Sequence, residues 1–445
     1  MNTGFDAIVI GAGPAGSTAA TLLARAGWSV ALVEKQIFPR RKVCGECVAA
    51  SNLPLLDALG LGPAVAAAAG PELSRFALMQ GGRTVQAPLP AADHPRYPWG
   101  RALARETLDT LLLAQARASG ATLLQPWAAQ SLGGGPGAHE CVVRAVGGAE
   151  SVRLRAPVLI AAHGSWELLP AQREARRLVR HPGDLLAFKA NFRGADLAPG
   201  LLPVLSFPGG YGGMVVSGDG LATLACCIRQ DRLDALRRAA PGLGAGEAVL
   251  ALLRRECAGV ARALDAARRE RAWLASGPLA PGVRLRPDDA LFRVGNAAGE
   301  AHPIIGEGMS MAMQSAWLLC AQLLPSGPRR GDLFDAAWQR GVAGRYAAEW
   351  RGHFVPRLRL AAAFAHLAMR PALGAPLLAL LNRWPALATV GARWAGKICC
   401  APDAPSVGRL ARGVGAPRAW PLVISPRPIG LHPEFNEEPA NDHHF

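Results

Sequence analysis

The sequence predicts an α/β protein built on a dinucleotide-binding parallel sheet, with a second sheet inserted into it and helices at its C-terminal end. Three observations predict this. Residues 6–10 form an apolar run that enters Gly11-Ala12-Gly13-Pro14-Ala15-Gly16, then a small-residue helix over 17–26, then a second apolar run over 29–33 ending at Glu34. Far downstream, residues 291–299 read as a strand running into a turn, followed by a glycine loop and a helical stretch over 310–323. Between these lie four segments, 185–192, 204–207, 213–216 and 223–228, with the composition of antiparallel strands.

The first unit is strand, glycine turn, helix, strand and acid, the layout of a βαβ nucleotide site. Gly11 permits the tight turn, Gly13 lets the backbone approach a pyrophosphate, and Gly16 lets the helix pack close to the strand. Pro14 and Ala15 belong to the turn that leads into the helix, whose free N–H groups and positive dipole end suit phosphate. Glu34 stands where a carboxylate accepts from both ribose hydroxyls, which disfavours a 2′-phosphate.

The downstream unit reads Gly295-Asn296-Ala297-Ala298-Gly299, then His302-Pro303-Ile304-Ile305-Gly306-Glu307-Gly308-Met309. It resembles the second FAD-binding motif of the glutathione-reductase-type flavoproteins, in the branch of p-hydroxybenzoate hydroxylase. The resemblance implies FAD as cofactor, with Gly295, Asn296, Pro303, Gly306, Gly308 and Met309 among its contacts. Asn296 stands where that branch carries the Asp that holds the ribityl chain. After Glu34 comes Lys35-Gln36-Ile37-Phe38-Pro39-Arg40-Arg41-Lys42-Val43-Cys44-Gly45-Glu46, similar to the Phe-Pro-Arg…Lys-x-Cys-Gly segment of geranylgeranyl reductase-like flavoproteins. This adds Lys35, Arg40, Cys44 and Gly45 to the expected cofactor contacts. Residues 105–112 match the superfamily's Arg-x-x-Leu-Asp-x-x-Leu helix start, which implies Arg105 near the pyrophosphate. Residues 208–213 resemble the reductases' substrate-domain segment, with Gly213 where Trp is usual.

Two departures bear on the reaction. Flavin halogenases carry Trp-x-Trp-x-Ile-Pro; no two tryptophans here are separated by one residue, and the four lysines follow no halogenase pattern, so halogenation is disfavoured. In the hydroxylases an Asp-Gly pair assists both FAD and NADPH; here it reads His163-Gly164. No second glycine fingerprint marks an NADPH domain. Electrons are therefore expected from NADPH or NADH docking transiently, or from a partner such as a flavin reductase.

The remaining sequence sets the frame. With 445 residues and 50% hydrophobic content, two or three domains are expected. Residues 1–70, 98–168 and 285–330 are assigned to the FAD domain, 71–97 and 169–284 to a substrate domain, 331–400 to C-terminal helices, and 401–445 to an extended tail. Nine scattered cysteines make no disulfide framework and fit a reducing cytoplasm; Cys44 and Cys47 spell C-x-x-C without a thioredoxin-like context, and no metal site is expected. The net charge of +15 rests on arginine, in clusters such as 173–180 and 262–271. No nucleic-acid module accompanies it; solvated faces or attraction to acidic lipid are the readings. Apolar runs over 360–369 and 371–381 fall short of the ~18–20 residues of a membrane span, leaving core helices or peripheral contact with the inner face of the membrane.

The implied activity is FAD-dependent oxidation or reduction of a hydrophobic or polycyclic substrate. Monooxygenation of an aromatic, polyketide or lipid-like molecule is placed ahead of geranylgeranyl reductase-like reduction of C=C bonds, because the reductases' Trp is missing. A silent electron-transfer partner is the third class. Cys44, Tyr211 and His302 are the expected catalytic residues.

Overall fold

A computed structural model of the chain describes residues 3–166, 168–170, 180–286, 291–326 and 335–394. The tail beyond Cys400, the Cys399-Cys400 pair and most of the 173–180 arginine cluster lie outside these residues.

Strand β1 (Ala7–Ile10) is buried throughout, as a strand covered on both faces must be. It leads to α1 (Pro14–Arg25) and β2 (Val30–Val33). The helix begins three residues earlier than the apolar pattern suggests, because Pro14 at its first turn has no N–H to leave unpaired. Strands β3 (Arg75–Gln80) and β4 (Arg83–Pro88) follow, then α2 (Arg105–Ala118), β5 (Thr122–Leu124) and β6 (Val158–Ala161). Next come β7 (Leu185–Arg193), β8 (Leu201–Phe207), β9 (Gly210–Val216) and β10 (Ala222–Arg229). The chain then passes through β11 (Phe292–Arg293), α3 (Gly308–Ser326), α4 (Ala336–Ala368), α5 (Pro371–Arg383) and α6 (Pro385–Trp394).

The nucleotide-type sheet has the order β11-β6-β1-β2-β5, every pair parallel. This is the open parallel sheet expected of a βαβ fingerprint, with ligands at the carboxyl ends of β1 and β2. α1 and α3 cover one face, and Met313, Ala316 and Leu323 share a buried cluster with Ala19, Leu22 and Leu23. α4 lies behind them and buries Tyr346, Trp350 and Phe354 in the same core.

The second sheet has eight strands and places β7-β10-β9-β8-β3-β4 side by side. It is antiparallel except at one seam, where β8 runs parallel to β3. Both inserted pieces of the chain therefore build one sheet. Pro371 and Pro385 open α5 and α6, whereas Pro376 lies inside α5 and Pro356 inside α4.

Candidate FAD site and the Tyr211–His302 pair

The glycine turn after β1 closes on itself as the fingerprint requires. Gly11 has φ +102°, and a Cβ there would stand 2.5 Å from the Ala162 carbonyl oxygen. A Cβ on Gly16 would overlap the Gly11 carbonyl oxygen. Gly13 is different: its Cβ would meet only Arg40 Nη2, at 3.8 Å. The space in front of Gly13 is open, and α1 starts there with no side-chain cap and no acid in its first turn. An uncapped helix N-terminus facing open space is an anion site in waiting.

Basic side chains surround that space. Arg40 spans Glu34 and Asp109 at 3.7 and 3.6 Å, and its Nε has no hydrogen-bond partner among the described residues. Arg105 forks onto buried Asp109 with two 2.9 Å hydrogen bonds; burial works against its charge, but Asp109 holds its pKa above the usual range. Burial, and then the cations of Arg40 and Arg105, pull Lys42 down to about 8. Three cations against two carboxylates leave room for a pyrophosphate, whose charge would reverse the repulsion on Lys42.

Glu34 ends β2, buried, and accepts from the backbone N–H groups of Ala12 and Gln36, both at 2.9 Å. Each carboxylate oxygen keeps a second lone pair for a ribose hydroxyl. The second motif meets the first directly. A Cβ on Gly295, which has φ +61°, would stand 3.0 Å from the Ala15 Cβ. The Asn296 amide donates to Ser165 Oγ at 2.9 Å, tying the second motif to the turn of His163 and Gly164. The His163 backbone borders Gly11.

The loop after the second motif runs from a single helical turn (Pro303–Ile305) into α3. Gly306 turns it in the left-handed region at φ +65° and lies against Cys47. Met309 is buried, whereas Pro303 and Gly308, the first residue of α3, are exposed. Cys44 is half-buried, with its sulfur accepting from the Glu46 N–H at 3.4 Å. Cys44 and Cys47 are not joined by a disulfide. Gly45 is exposed, and a Cβ there would meet open space. Lys35 is exposed, and no hydrogen bond or ion pair engages it among the described residues.

Tyr211 and His302 are brought together. The Tyr211 hydroxyl lies 3.1 Å from His302 Nδ1, in the interior. Leu185, Ala187, Cys227, Ala365 and Met369 form the surrounding apolar cluster, with Val43 and Ile304 against it. The second sheet, the Cys44 segment and the second-motif loop thus converge at this pair. Burial pushes the Tyr211 phenol far up. Burial, and then His366, pull His302 down to about 4, so its ring is neutral at neutral pH. The exposed His366 meets His302 edge-on, with ring centroids 5.8 Å apart.

One polar cluster escaped the sequence reading. Lys189, in the middle of β7, is 3% exposed and donates to Glu46 Oε1 at 2.5 Å. The same carboxylate accepts from the Arg105 N–H at 2.8 Å and from Thr223 Oγ1 at 2.6 Å. Glu46 adopts φ +57° to reach them. The sequence signal was a lysine inside the apolar strand Leu-Ala-Phe-Lys-Ala-Asn-Phe, since a buried charge needs a partner.

A nucleotide-type sheet, an open anion cradle and a second motif seated against it define a flavoprotein, and the residues present fit FAD. Residues 4–337 match the family model described as FAD binding domain, and the chain belongs to that family with FAD as its cofactor. It is 58% identical over 60 residues to Tryptophan 2-halogenase of Chondromyces crocatus, covering 14% of this chain and 11% of the halogenase. It is 38% identical over 122 residues to Menaquinone reductase of Mycobacterium tuberculosis, covering 27% of this chain and 28% of the reductase. The matched stretches are thus under a third of these curated relatives. A geranylgeranyl bacteriochlorophyll reductase-like structure from Thermoplasma acidophilum superposes with a TM-score of 0.67 at 19% identity, over 91% of this chain and 97% of that one. That likeness establishes the fold. No single helix among the described residues is long and apolar enough to cross a membrane.

Proposed function

We propose that this FAD-dependent oxidoreductase reduces a C=C bond in a hydrophobic, lipid-like substrate held between the flavin and β9. The observation that carries the reading is the buried Tyr211–His302 hydrogen bond. Burial raises the Tyr211 phenol, so it stays protonated at neutral pH and gives its proton only to a strong base such as the carbanion formed at the reacting carbon. A bound FAD, reduced by NADPH, NADH or a flavin reductase, would supply the hydride to one alkene carbon. The π electron pair then takes the Tyr211 proton at the other carbon, and the tyrosinate recovers a proton from solvent through His302 and His366. Two hydrogens are added and no oxygen is consumed.

Gly213 supports a bulky substrate. It lies two residues along β9 from Tyr211 and so on the same face, where it presents no side chain. The apolar neighbours of the pair favour a molecule without charge near the reacting carbons. Monooxygenation, which the sequence placed first, is the second reading. Its support is the glycine at 213 in place of the reductases' tryptophan. The Tyr211–His302 hydrogen bond, which offers one phenolic proton with a neutral imidazole behind it, moves reduction ahead.

The test is anaerobic turnover of the reduced holoenzyme with a panel of menaquinones and polyunsaturated isoprenoid lipids in deuterated water. The expected product gains two hydrogens across one C=C bond, both as deuterium, because the flavin N–H that supplies the hydride and the Tyr211 O–H both exchange with solvent. Tyr211→Phe should keep its FAD and lose about 100-fold or more in turnover. A product carrying an atom of labelled oxygen, formed only in air, would overturn the reading in favour of monooxygenation.

A further inference from the structure

We infer that the outer face of α5 and α6 docks onto an anionic lipid surface. α5 is apolar on every side: its sequence, Pro-Ala-Leu-Gly-Ala-Pro-Leu-Leu-Ala-Leu-Leu-Asn-Arg, keeps its polar side chains for the last two positions. Leu378 and Leu381 point inward, onto Phe76, Val85, Ala87 and Leu202 of the substrate sheet. Leu373, Leu377 and Leu380 recur on another side at helical spacing and stand in solvent, Leu373 at 66% exposure. Trp384, 52% exposed, follows at the break, and Leu387 and Val390 continue the strip on α6. Six of the eleven large exposed apolar side chains among the described residues fall within these 18 positions, 373–390. A helix apolar all round belongs in a core or an apolar medium, and a concentrated exposed strip marks a contact surface.

Charge selects the occupant. Residues 351–402 contain no Asp or Glu, and their arginines at 359, 370 and 383 are exposed. Arg370 and Arg383, both exposed, stand at the two ends of α5. The Arg383 guanidinium lies 5.8 Å from the Trp384 ring centroid. An apolar strip bracketed by cations, with an indole at its edge, suits a bilayer whose headgroups are acidic. The leucines reach the acyl boundary, and the arginines meet the phosphates.

The helices lie on the bilayer without crossing it. The 13 residues of α5 extend only about 20 Å, against roughly 30 Å of hydrocarbon. α4 and α5 are long and apolar enough to span only as a pair, and that pair is bent by 103°, with α4 committed to the FAD-domain core. His366 and Met369 at the C-terminal end of α4 adjoin Tyr211 and His302 directly before α5 begins. A docked bilayer would therefore lie close to the reacting pair; this last point rests on the reductase reading, whereas the docking does not.

The experiment is flotation of the full-length holoprotein with vesicles of phosphatidylcholine alone and of equal parts phosphatidylcholine and phosphatidylglycerol. The wild type should float with the acidic vesicles at low salt, less at high salt, and little with phosphatidylcholine alone. Leu373→Glu/Leu377→Glu should cut binding by about tenfold or more, with flavin absorbance and Tm unchanged. Arg370→Glu/Arg383→Glu should lose binding to acidic vesicles selectively. Wild type that stays unbound, or a leucine variant that floats equally, would overturn the inference. So would a dimer split by the leucine variant, or binding that appears only after removal of residues 395–445; these would assign the face to a second copy or to the chain's own tail.

Discussion

Gly13→Val separates cofactor binding from folding in a way its neighbours cannot. Gly13 has φ −68° and ψ −173°, extended backbone that a β-branched residue adopts. Its side-chain space holds only the tip of Arg40 at 3.8 Å. The apoprotein should therefore fold with a change of less than about 1 kcal/mol. The added methyl groups occupy the space through which a pyrophosphate approaches the start of α1. A loss of about 100-fold in FAD affinity corresponds to about 2.7 kcal/mol. With FAD at about 100 times the wild-type Kd, binding stabilises the wild type by about 2.7 kcal/mol and the variant by about 0.4 kcal/mol. In a chain of 445 residues each kcal/mol moves Tm by roughly 1 °C, so an FAD-induced shift of about 3 °C should fall below about 1 °C. Melting of apoprotein with and without FAD, together with flavin absorbance of protein as purified, reads both quantities. Gly16→Ala is the contrast, since its methyl group overlaps the Gly11 carbonyl oxygen and should lower the apoprotein's own Tm. Normal flavin content in Gly13→Val would refute the reasoning, and so would an unfolded apoprotein.

Two further outcomes follow from the buried polar groups. Glu46→Gln leaves Lys189 buried without its countercharge and should cost about 3–5 kcal/mol; Glu46→Gln/Lys189→Met should recover much of that in denaturant titration, and a double variant no more stable than the single would remove the ion pair from the account. His302 is held down to about 4 in the fold and returns to about 6.5 when unfolded. The unfolded state therefore binds the extra proton, so this contribution, up to roughly 3 kcal/mol, is present above about pH 6.5 and is lost as pH falls towards 4. His302→Asn should flatten the wild type's pH dependence across that window, and equal slopes in the two proteins would contradict the assignment.

Local sequence determined the parts of this protein that local chemistry governs. A glycine turn between two apolar runs, closed by an acid, specifies strand, helix and strand because few backbones fit residues 11–16 otherwise. The second motif, at 295–308, is legible for the same reason. Strand segments in the inserted region are legible from their composition, but their partners are not. Pairing β8 parallel with β3 joins residues more than a hundred positions apart, and no local signal encodes that register. Tertiary structure also decided the chemistry of the side chains. Tyr211, His302 and His366 lie on a strand, a loop and a helix, and the protonation of Tyr211 and His302 depends on burial that exists only once these elements meet. Lys189 and Glu46 are ordinary charges in sequence and become a buried pair only when the substrate sheet closes over the Cys44 segment. The strip on α5 shows the converse limit. Apolar composition marks it as a core helix, and only the packed fold shows that one side of it stays in solvent.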